Sequence, residues 1–305
     1  MNTPTFRAAV VRTPSGPDSI EVVDVPLVEP GPGQVRVAVA GAAVNPVDLG
    51  VAGGFFHSIG LVNQTEYTGL GWDFAGTVVA AGPDVALQVG SRVAGMVDGF
   101  DRDFGTYAEQ IVVAAADVAV VPDGLDLITA STVPLNSLAA AQIVDLLGDA
   151  PATGNRLLVT GAAGAAGAYV ASLARQRGWQ VTGLARPGDE EFVRGLGVDF
   201  VAHTEPGWDA VADTAAMQEP ALALVRDGGA FVGVRPNLGP PAERGISVTA
   251  VVTVPDGARL AGLLDRTAAG ELPARVFAVV SLDQVGEAHR VVAKGGVRGR
   301  YVVQP

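Results

Sequence analysis

Three glycines stand where a chain can bind a phosphate group. Gly161, Gly164 and Gly167 follow an apolar run that ends at Val159, and a stretch of helix-forming residues comes after them. Glycine lets the backbone come close to a pyrophosphate, and the N–H groups and positive dipole end of the following helix attract the anion. The spacing therefore predicts a dinucleotide-binding turn.

The elements around this turn are those that such a site needs. Residues 157–159 predict a buried strand, residues 165–177 a helix, and residues 180–184 a second strand. Together they form a βαβ unit of about thirty residues. The alternative is a tight turn in another α/β protein, since a chain with 40 glycines produces such patterns by chance. The flanking strand and helix favour the dinucleotide site.

The composition of the chain limits its partners. It has 305 residues, of which 32 are acidic and 20 basic, so the net charge is -12. This balance argues against nucleic acid and anionic membranes, because both need clustered positive charge. The N-terminus also lacks the basic start and long apolar core of a signal peptide. We therefore expect a cytoplasmic protein that acts on a small-molecule substrate.

Few residues suit a metal ion. The chain has no cysteine, and its three histidines, His57, His203 and His289, show no ligand spacing. Disulfides, thiol catalysis, iron–sulfur clusters and thiolate-bound zinc are thereby excluded. The sequence predicts no metal site.

The first third of the chain shows many short strand patterns separated by glycine and proline turns. This spacing predicts an all-β, partly closed barrel. Residues 50–71 interrupt the pattern and predict a long irregular loop that can cover a site. The strand patterns lie at residues 6–11, 20–23, 34–39, 77–80, 92–97 and 107–113.

Helices and strands alternate after residue 126. A helix pattern at residues 126–147, interrupted at Pro134, leads into the βαβ unit. The alternation predicts a parallel, doubly wound sheet. Further helices are predicted at residues 189–196, 218–226 and 258–269, and further strands at residues 200–202, 210–213, 230–234 and 247–254.

The tail is mixed, with strand patterns at residues 275–280 and 299–303 around a helix pattern at 282–293. A final isolated strand must find a sheet edge, so we expect the tail to join the first domain. The predicted fold class is α/β. Its predicted domains are a β-barrel domain of residues 1–123 and 257–305, and a Rossmann domain of residues 124–256.

Short motifs in a fixed order run along nearly the whole chain. They are NPVD at 45–48, GWDFAGTV at 71–78, GSRVAG at 90–95, GTYAE at 105–109 and VTGAAGAAG at 159–167, with similar stretches at 192–199 and 298–303. In this order they resemble the medium-chain dehydrogenase/reductase superfamily, and within it the zinc-free quinone oxidoreductase branch. The resemblance implies a GroES-like barrel domain followed by a Rossmann domain.

The departures from the family pattern carry information as well. Zinc-dependent relatives have a histidine and a glutamate where this chain has Trp72 and Asp73, and their cysteine ligands are absent here. The resemblance therefore implies an activity that survives metal chelation. Leu49 and Gly50 stand where zinc-free relatives often have an aromatic or bulky residue, which leaves the shape of the substrate pocket open.

Five polar residues are candidates for the chemistry. The resemblance places Asn45 beside the nicotinamide ribose or the substrate carbonyl, with Asp48 supporting the loop, whereas the residues alone suggest an Asx turn. His57, Tyr67 and Tyr107 are candidate proton donors by side-chain chemistry, and a packing or surface role is the alternative for each. The predicted catalytic set is Asn45, Asp48 and Tyr67, with solvent as another proton source.

The end of the second Rossmann strand predicts the cofactor. That strand ends at Arg186, and no acidic residue follows before Asp189. An NAD-binding fold places an acidic residue there for the ribose 2′-OH, whereas a guanidinium suits a 2′-phosphate, so we predict NADPH. The alternative is a solvent-facing arginine. The residues predicted to bind the cofactor are Asn45, Asn136, Ala162, Ala163, Gly164, Ala165, Ala166, Gly167, Arg186, Gly233, Val234 and Arg300.

Three functions remain open at this point. The first is an NADPH-dependent reductase of quinones or other α,β-unsaturated carbonyl compounds. The second is an enoyl reductase or tailoring enzyme of a polyketide-like or acyl-thioester pathway, and the third is a non-catalytic NADPH-binding protein. Similar proteins pair the edge strand that corresponds to residues 247–254 about a two-fold axis, so a homodimer is predicted.

Overall fold

The structure is a computed structural model and describes residues 4–305. The chain divides into two compact units. The first comprises the residues up to Leu135 together with Pro255–Pro305, and the second comprises Asn136–Val254.

The described residues contain sixteen strands, nine α-helices and four short 3-10 helices. The strands are β1 Thr5–Val11, β2 Ile20–Pro26, β3 Gln34–Ala43, β4 Thr68–Gly69, β5 Asp73–Ala81, β6 Arg92–Met96, β7 Gln110–Ala114, β8 Val118–Val120, β9 Arg156–Thr160, β10 Gln180–Leu184, β11 Asp199–Val201, β12 Trp208–Asp213, β13 Val225–Gly233, β14 Ser247–Ala250, β15 Val276–Ser281 and β16 Arg300–Gln304. The helices are α1 Pro46–Ala52, α2 Phe55–Ser58, α3 Leu127–Ala130, α4 Pro134–Leu147, α5 Ala165–Gln176, α6 Glu190–Gly195, α7 Glu219–Leu222, α8 Gly257–Ala268 and α9 Val285–Lys294.

The first unit is built mainly on antiparallel strands, with the parallel pair β15 and β16 at one edge of its larger sheet. One sheet has the order β2-β1-β4, and a larger one has the order β15-β16-β3-β5-β6-β8, with β7 also paired to β3. In β3 the alternating side chains bury Val35, Val37 and Val39 in the core, as a strand with one covered face requires. Strand β16 pairs with β3, so the C-terminal tail completes this sheet.

The second unit is a doubly wound sheet. Its strand order is β11-β10-β9-β12-β13-β14, and the neighbouring strands are parallel. The buried run Leu157–Val159 explains why β9 lies at the centre, because a central parallel strand is covered on both faces. The predicted α/β fold class is confirmed.

The unit boundaries differ from the predicted domain boundaries. The first unit extends to Leu135, beyond the predicted end at residue 123, and the second unit ends at Val254. Helix α3 is the reason, because it packs on β3 and β5 of the first unit. A helix pattern by itself does not reveal which sheet the helix covers.

Three predicted elements differ from the structure. The loop predicted at residues 50–71 contains α2, β4 and the end of α1. The helix predicted at 218–226 is confined to α7, since the chain turns to enter β13 at Val225. The strand predicted at 247–254 ends at Ala250, because its partner strand β13 ends opposite it at Gly233.

Candidate functional site

The glycine turn of the second unit has the geometry that a pyrophosphate requires. Gly161 follows β9 with φ of 63°, a left-handed conformation that glycine adopts without strain, and Gly164 is the N-cap of α5. A Cβ at Gly167 would overlap the carbonyl oxygen of Gly161 and lie 2.7 Å from Oγ1 of Thr214. The absence of a side chain at Gly167 therefore lets α5 begin in close contact with Gly161 and Thr214.

The residues of this turn fit a dinucleotide. Ala165, Ala166 and Gly167 form the first turn of α5, where backbone N–H groups have no acceptor within the helix and the dipole end is positive. The small side chains of the turn leave the backbone accessible to a phosphate. Ala162 and Ala163 are buried, and the N–H of Ala162 donates to Leu184 at 3.2 Å, which ties the turn to β10.

Arg186 lies where the second strand ends. It is exposed and follows β10 by two residues. Among the acidic residues after it, Asp189 is buried, and Glu190 pairs with Arg194 on the surface of α6 at 2.8 Å. One of the acidic side chains, Glu190, is therefore paired within its own helix, while Arg186 is exposed to solvent.

The other predicted cofactor residues lie in both units. In the second unit, Asn136 is buried in α4, Gly233 ends β13 beside β12, and Val234 follows it. In the first unit, Asn45 caps α1 and Arg300 begins β16.

A buried polar network surrounds the NPVD motif of the first unit. Asn45 is 1% exposed and Asp48 is 0% exposed. The Asp48 carboxylate accepts hydrogen bonds from the N–H of Asn45 at 2.8 Å, the N–H of Gly71 at 3.0 Å and the hydroxyl of Tyr107 at 2.9 Å. It therefore fixes the start of α1 against two distant segments.

Asp73 is the second carboxylate of this network. It is 0% exposed and begins β5. Its Oδ1 accepts a hydrogen bond from Nδ2 of Asn45 at 2.8 Å, and the same Nδ2 donates to the carbonyl of Ala43 at 3.2 Å. The orientation of the Asn45 amide is thus set from two sides. Its role next to a substrate or cofactor stays a prediction.

Burial governs the titration of both carboxyl groups. Removal from water raises the pKa of Asp48 to about 6 and that of Asp73 to about 7, because the charged form loses its hydration. Hydrogen bonds from Asn45 oppose the rise in both, and Arg300 opposes it at Asp73. Burial likewise raises the pKa of Tyr107 well above its ordinary value.

The three candidate proton donors have different surroundings. Tyr107 is buried in the network, where its hydroxyl already donates to Asp48. Tyr67 is half-buried outside it, with the guanidinium of Arg12 5.2 Å from its ring centre, and burial raises the pKa of its hydroxyl. His57 is half-buried, and its Nε2 lies 3.1 Å from Oγ1 of Thr68. The structure unites Tyr107, not Tyr67, with Asn45 and Asp48.

The position that the resemblance gives to a zinc-binding histidine holds a packed indole. Trp72 is 6% exposed, and the guanidinium of Arg102 lies 4.6 Å from the centre of its ring. Phe100 contacts Trp72 edge-on at 5.1 Å and stacks on Phe56 at 4.0 Å. An indole nitrogen offers no lone pair to a metal ion, and the next residue, Asp73, is committed to Asn45.

Sequence reasoning missed two buried groups. His289 on α9 is 0% exposed and faces Tyr107 at 5.9 Å between ring centres, and within residues 4–305 neither ring nitrogen has a hydrogen-bond partner. Asp213 ends β12 and is 0% exposed. Nothing in the sequence around His289 indicates that it is buried. Asp213 could have been recognised from the sequence, because it is a carboxylate at the end of an apolar strand pattern.

Residues 4–305 contain neither a cluster of metal-ligating side chains nor a membrane-spanning helix. In that range no group of three or more His, Cys, Asp or Glu side chains converges as a metal site would, and no helix has the length and apolar character to cross a membrane.

Two protein families match this chain. The alcohol dehydrogenase GroES-like domain matches residues 31–123, and the zinc-binding dehydrogenase family matches residues 188–303. A quinone oxidoreductase from Coxiella burnetii has the same fold, with a TM-score of 0.84 and 23% identity over 99% of this chain and 100% of that chain.

Two characterised proteins are also similar. The 2-methylene-furan-3-one reductase of Solanum lycopersicum is 28% identical over 296 residues, which are 89% of this chain and 72% of that protein. The pikromycin polyketide synthase component PikAII of Streptomyces venezuelae is 33% identical over 221 residues, which are 66% of this chain. This chain spans only 6% of that synthase.

Proposed function

The chain belongs to the medium-chain dehydrogenase/reductase superfamily, and on this basis we propose that it is a zinc-independent, NADPH-dependent reductase of quinones or other α,β-unsaturated carbonyl compounds. It is an oxidoreductase of that superfamily, whose members use a nicotinamide cofactor. The observation that carries the proposal is the packed indole of Trp72, at the position to which the sequence resemblance assigns a zinc-binding histidine.

The hydride and the proton that the reduction requires can both be supplied without a metal ion. A reduced nicotinamide, if bound here, would supply a hydride for an electron-poor carbon of the substrate, and a proton from water or the protein would complete the reduction. The conjugated carbonyl of the substrate stabilises the negative charge that results. The chain's part is to hold the dinucleotide at the turn of Gly161, Gly164 and Gly167.

Two similarities support this substrate class. A quinone and a 2-methylene-furan-3-one both contain a carbon–carbon double bond conjugated to a carbonyl, and proteins named for these compounds resemble this chain. The similarity to PikAII favours the second candidate, an enoyl reductase or tailoring enzyme for polyketide-like thioesters. The net charge of -12 disfavours docking of a long anionic carrier.

The preference for NADPH is supported by the exposed guanidinium of Arg186 at the end of β10. A guanidinium binds a 2′-phosphate through two parallel hydrogen bonds. We expect Arg186→Ala to weaken NADPH binding by roughly 1.5–3 kcal/mol and to leave NADH binding nearly unchanged. Arg194→Ala, which removes another exposed arginine of the same unit, is the matched control.

One assay tests the proposal. NADPH oxidation is followed with 1,4-benzoquinone, 2-cyclohexenone and crotonyl-N-acetylcysteamine, before and after treatment with a chelator. Turnover of the quinone or enone that survives chelation supports the proposed function. Turnover of the thioester alone supports the second candidate, and binding of NADPH without any turnover supports a non-catalytic protein. Stoichiometric zinc with activity lost on its removal contradicts zinc independence.

The assembly is proposed to be a homodimer. Strand β14 ends the order of the six-stranded sheet, so its outer N–H and C=O groups lie at a sheet edge. Val252 and Val254, just after the strand, are 65% and 47% exposed. An open edge with apolar neighbours favours pairing with a second copy. A monomer mass by light scattering at micromolar concentration would contradict this proposal.

A further inference from the structure

The carboxylate of Asp213 is the centre of a compact hydrogen-bonded cluster in the second unit. It ends β12, is 0% exposed, and accepts a hydrogen bond from the hydroxyl of Thr160 at 2.6 Å. It also accepts from the backbone N–H groups of Met217 at 3.1 Å and Gln218 at 2.8 Å. A buried carboxylate with three donors fixes the groups that donate to it.

Thr160 connects this cluster to the glycine turn. It ends β9 and is the residue immediately before Gly161. Its hydroxyl oxygen accepts from the N–H of Ala215 at 3.1 Å, and its carbonyl accepts from the hydroxyl of Thr214 at 2.5 Å. The loop after β12, residues 214–218, is therefore hydrogen-bonded to Thr160 through its first two residues and to Asp213 through Met217 and Gln218.

The same loop also touches the glycines. A Cβ at Gly161 would lie 3.1 Å from the Cβ of Ala215, and a Cβ at Gly167 would lie 2.7 Å from Oγ1 of Thr214. Both glycines thus have the 214–218 loop as a direct neighbour. A displacement of the loop would therefore change the packing around Gly161 and Gly167.

The loop has a conformation that must be held. Ala216 has φ of 53°, and Gln218 has φ of 64° with ψ of −120°. Side chains other than glycine rarely adopt such angles, and they persist only where surrounding contacts enforce them. The two N–H groups that Asp213 holds, those of Met217 and Gln218, belong to this strained segment.

We propose that Asp213 is a positioning residue for the dinucleotide site. Through Thr160 and the 214–218 loop it holds the turn of Gly161, Gly164 and Gly167 in the conformation that receives the pyrophosphate. This inference rests on the proposed dinucleotide binding but not on the preference for NADPH, because the pyrophosphate is common to NADPH and NADH.

The first test replaces the carboxylate with an amide. In Asp213→Asn the new NH₂ group cannot accept a hydrogen bond, so at least one of the three donors loses its partner. We expect the dissociation constants of NADPH and NADH, measured by titration calorimetry without substrate, to rise by the same factor of about ten. Hydrogen exchange at the amides of residues 161–167 is expected to become faster.

The matched control lies on the same strand. Asp209 is in the amino-terminal part of β12 and bonds with Nε of Arg226 at 2.7 Å and the N–H of Arg156 at 3.0 Å. Asp209→Asn makes the same chemical change away from the turn. It is expected to lower the melting temperature without changing either dissociation constant or the exchange of residues 161–167.

Variants of Thr160 test the route of the effect. Thr160→Val removes the hydroxyl while keeping the shape, and it should weaken both dinucleotides as Asp213→Asn does. Thr160→Ser keeps the hydroxyl, so this variant should retain near wild-type affinity for both dinucleotides. Because Thr160 and Asp213 belong to one hydrogen-bonded cluster, the two changes are not independent, and the combined variant Thr160→Val with Asp213→Asn should weaken binding by less than the product of the two separate factors.

The opposing results are distinct. Wild-type dissociation constants in Asp213→Asn, with only a lowered melting temperature, would make the residue purely structural and overturn the inference. If the wild-type protein binds neither dinucleotide, the proposed function fails, and unchanged exchange at residues 161–167 in Asp213→Asn would then overturn the positioning role as well.

Discussion

Both units bury carboxylates, but they surround them differently. In the first unit, Asp48 bonds with Tyr107, 59 positions away, and Asp73 bonds with Asn45, 28 positions away. In the second unit, Asp213 bonds with backbone groups four and five positions away as well as with Thr160. Both networks join distant segments through side chains, since Thr160 lies 53 positions from Asp213. The second network differs in that Asp213 also holds two backbone N–H groups of the loop that directly follows its own strand.

This difference indicates which kind of change, steric or in protonation, each site responds to. The second unit depends on backbone geometry, since the glycine turn and the 214–218 loop are in direct contact. The first unit is sensitive to protonation, since burial raises the pKa of its two buried carboxyl groups, Asp48 and Asp73. Steric changes at the glycine turn should therefore act on the site of the second unit, and pH changes should act on the carboxylate network of the first.

The largest effect is expected at Gly167. In Gly167→Val the new side chain meets the carbonyl oxygen of Gly161 and the hydroxyl of Thr214, neither of which can move freely. We expect loss of measurable dinucleotide binding and a free energy of unfolding lowered by roughly 3 kcal/mol. Calorimetric titration and urea unfolding measure the two quantities.

Gly262→Ala is the control for that substitution. A Cβ at Gly262, in the middle of α8, meets no atom within 4 Å. We expect a gain of roughly 0.5–1 kcal/mol in stability, as for other replacements of glycine inside helices, and unchanged dinucleotide affinity. Normal dinucleotide binding by Gly167→Val would show that the turn tolerates a side chain. The site of the second unit would then not be the sterically sensitive one.

The second effect is the pH dependence at Asp73. An unfolded aspartate titrates near 3.8 and the folded Asp73 near 7, so between these values the folded state keeps a proton that the unfolded state has lost. Rising pH therefore lowers the free energy of unfolding across this window, by up to about 4 kcal/mol for this group. Asp73→Asn should flatten the decline measured by urea unfolding between pH 4 and pH 8. An unchanged slope would contradict the raised pKa.

The third effect has the opposite sign and comes from His289. Burial lowers the pKa of this histidine from 6.5 to about 4, so between these values only the unfolded state carries the charge. Stability is therefore lost as the pH falls from 6.5 towards 4, by up to about 3 kcal/mol. His289→Phe should remove this loss. If the variant and the wild type lose stability equally between pH 7 and pH 5, His289 is not the buried neutral group described here.

The smallest effect is expected at the surface of α6. Glu190→Gln breaks an exposed ion pair with Arg194 of 2.8 Å between adjacent turns of the helix. Such pairs contribute about 0.5 kcal/mol or less. We expect thermal unfolding to change little and NADPH affinity to change by less than a factor of about two. A marked gain in NADPH affinity would show that Glu190 opposes the cofactor phosphate.

Much of the second unit was readable from the chain alone. The predicted strand, glycine turn, helix and strand correspond to β9, α5 and β10, because each follows from the pattern of neighbouring residues. The position of Arg186 after β10 followed from the same local pattern. Strand β14 was also expected at a sheet edge, and it ends the strand order, although it is shorter than predicted.

Tertiary structure alone decided the rest. The sequence named Asn45, Asp48 and Tyr107 separately, but only the folded sheet brings them together with Asp73. It likewise decided that α3 belongs to the first unit and that His289 is buried. Local patterns reflect hydrogen bonding and periodicity within a few residues, whereas burial and long-range pairing depend on which segments meet in the fold.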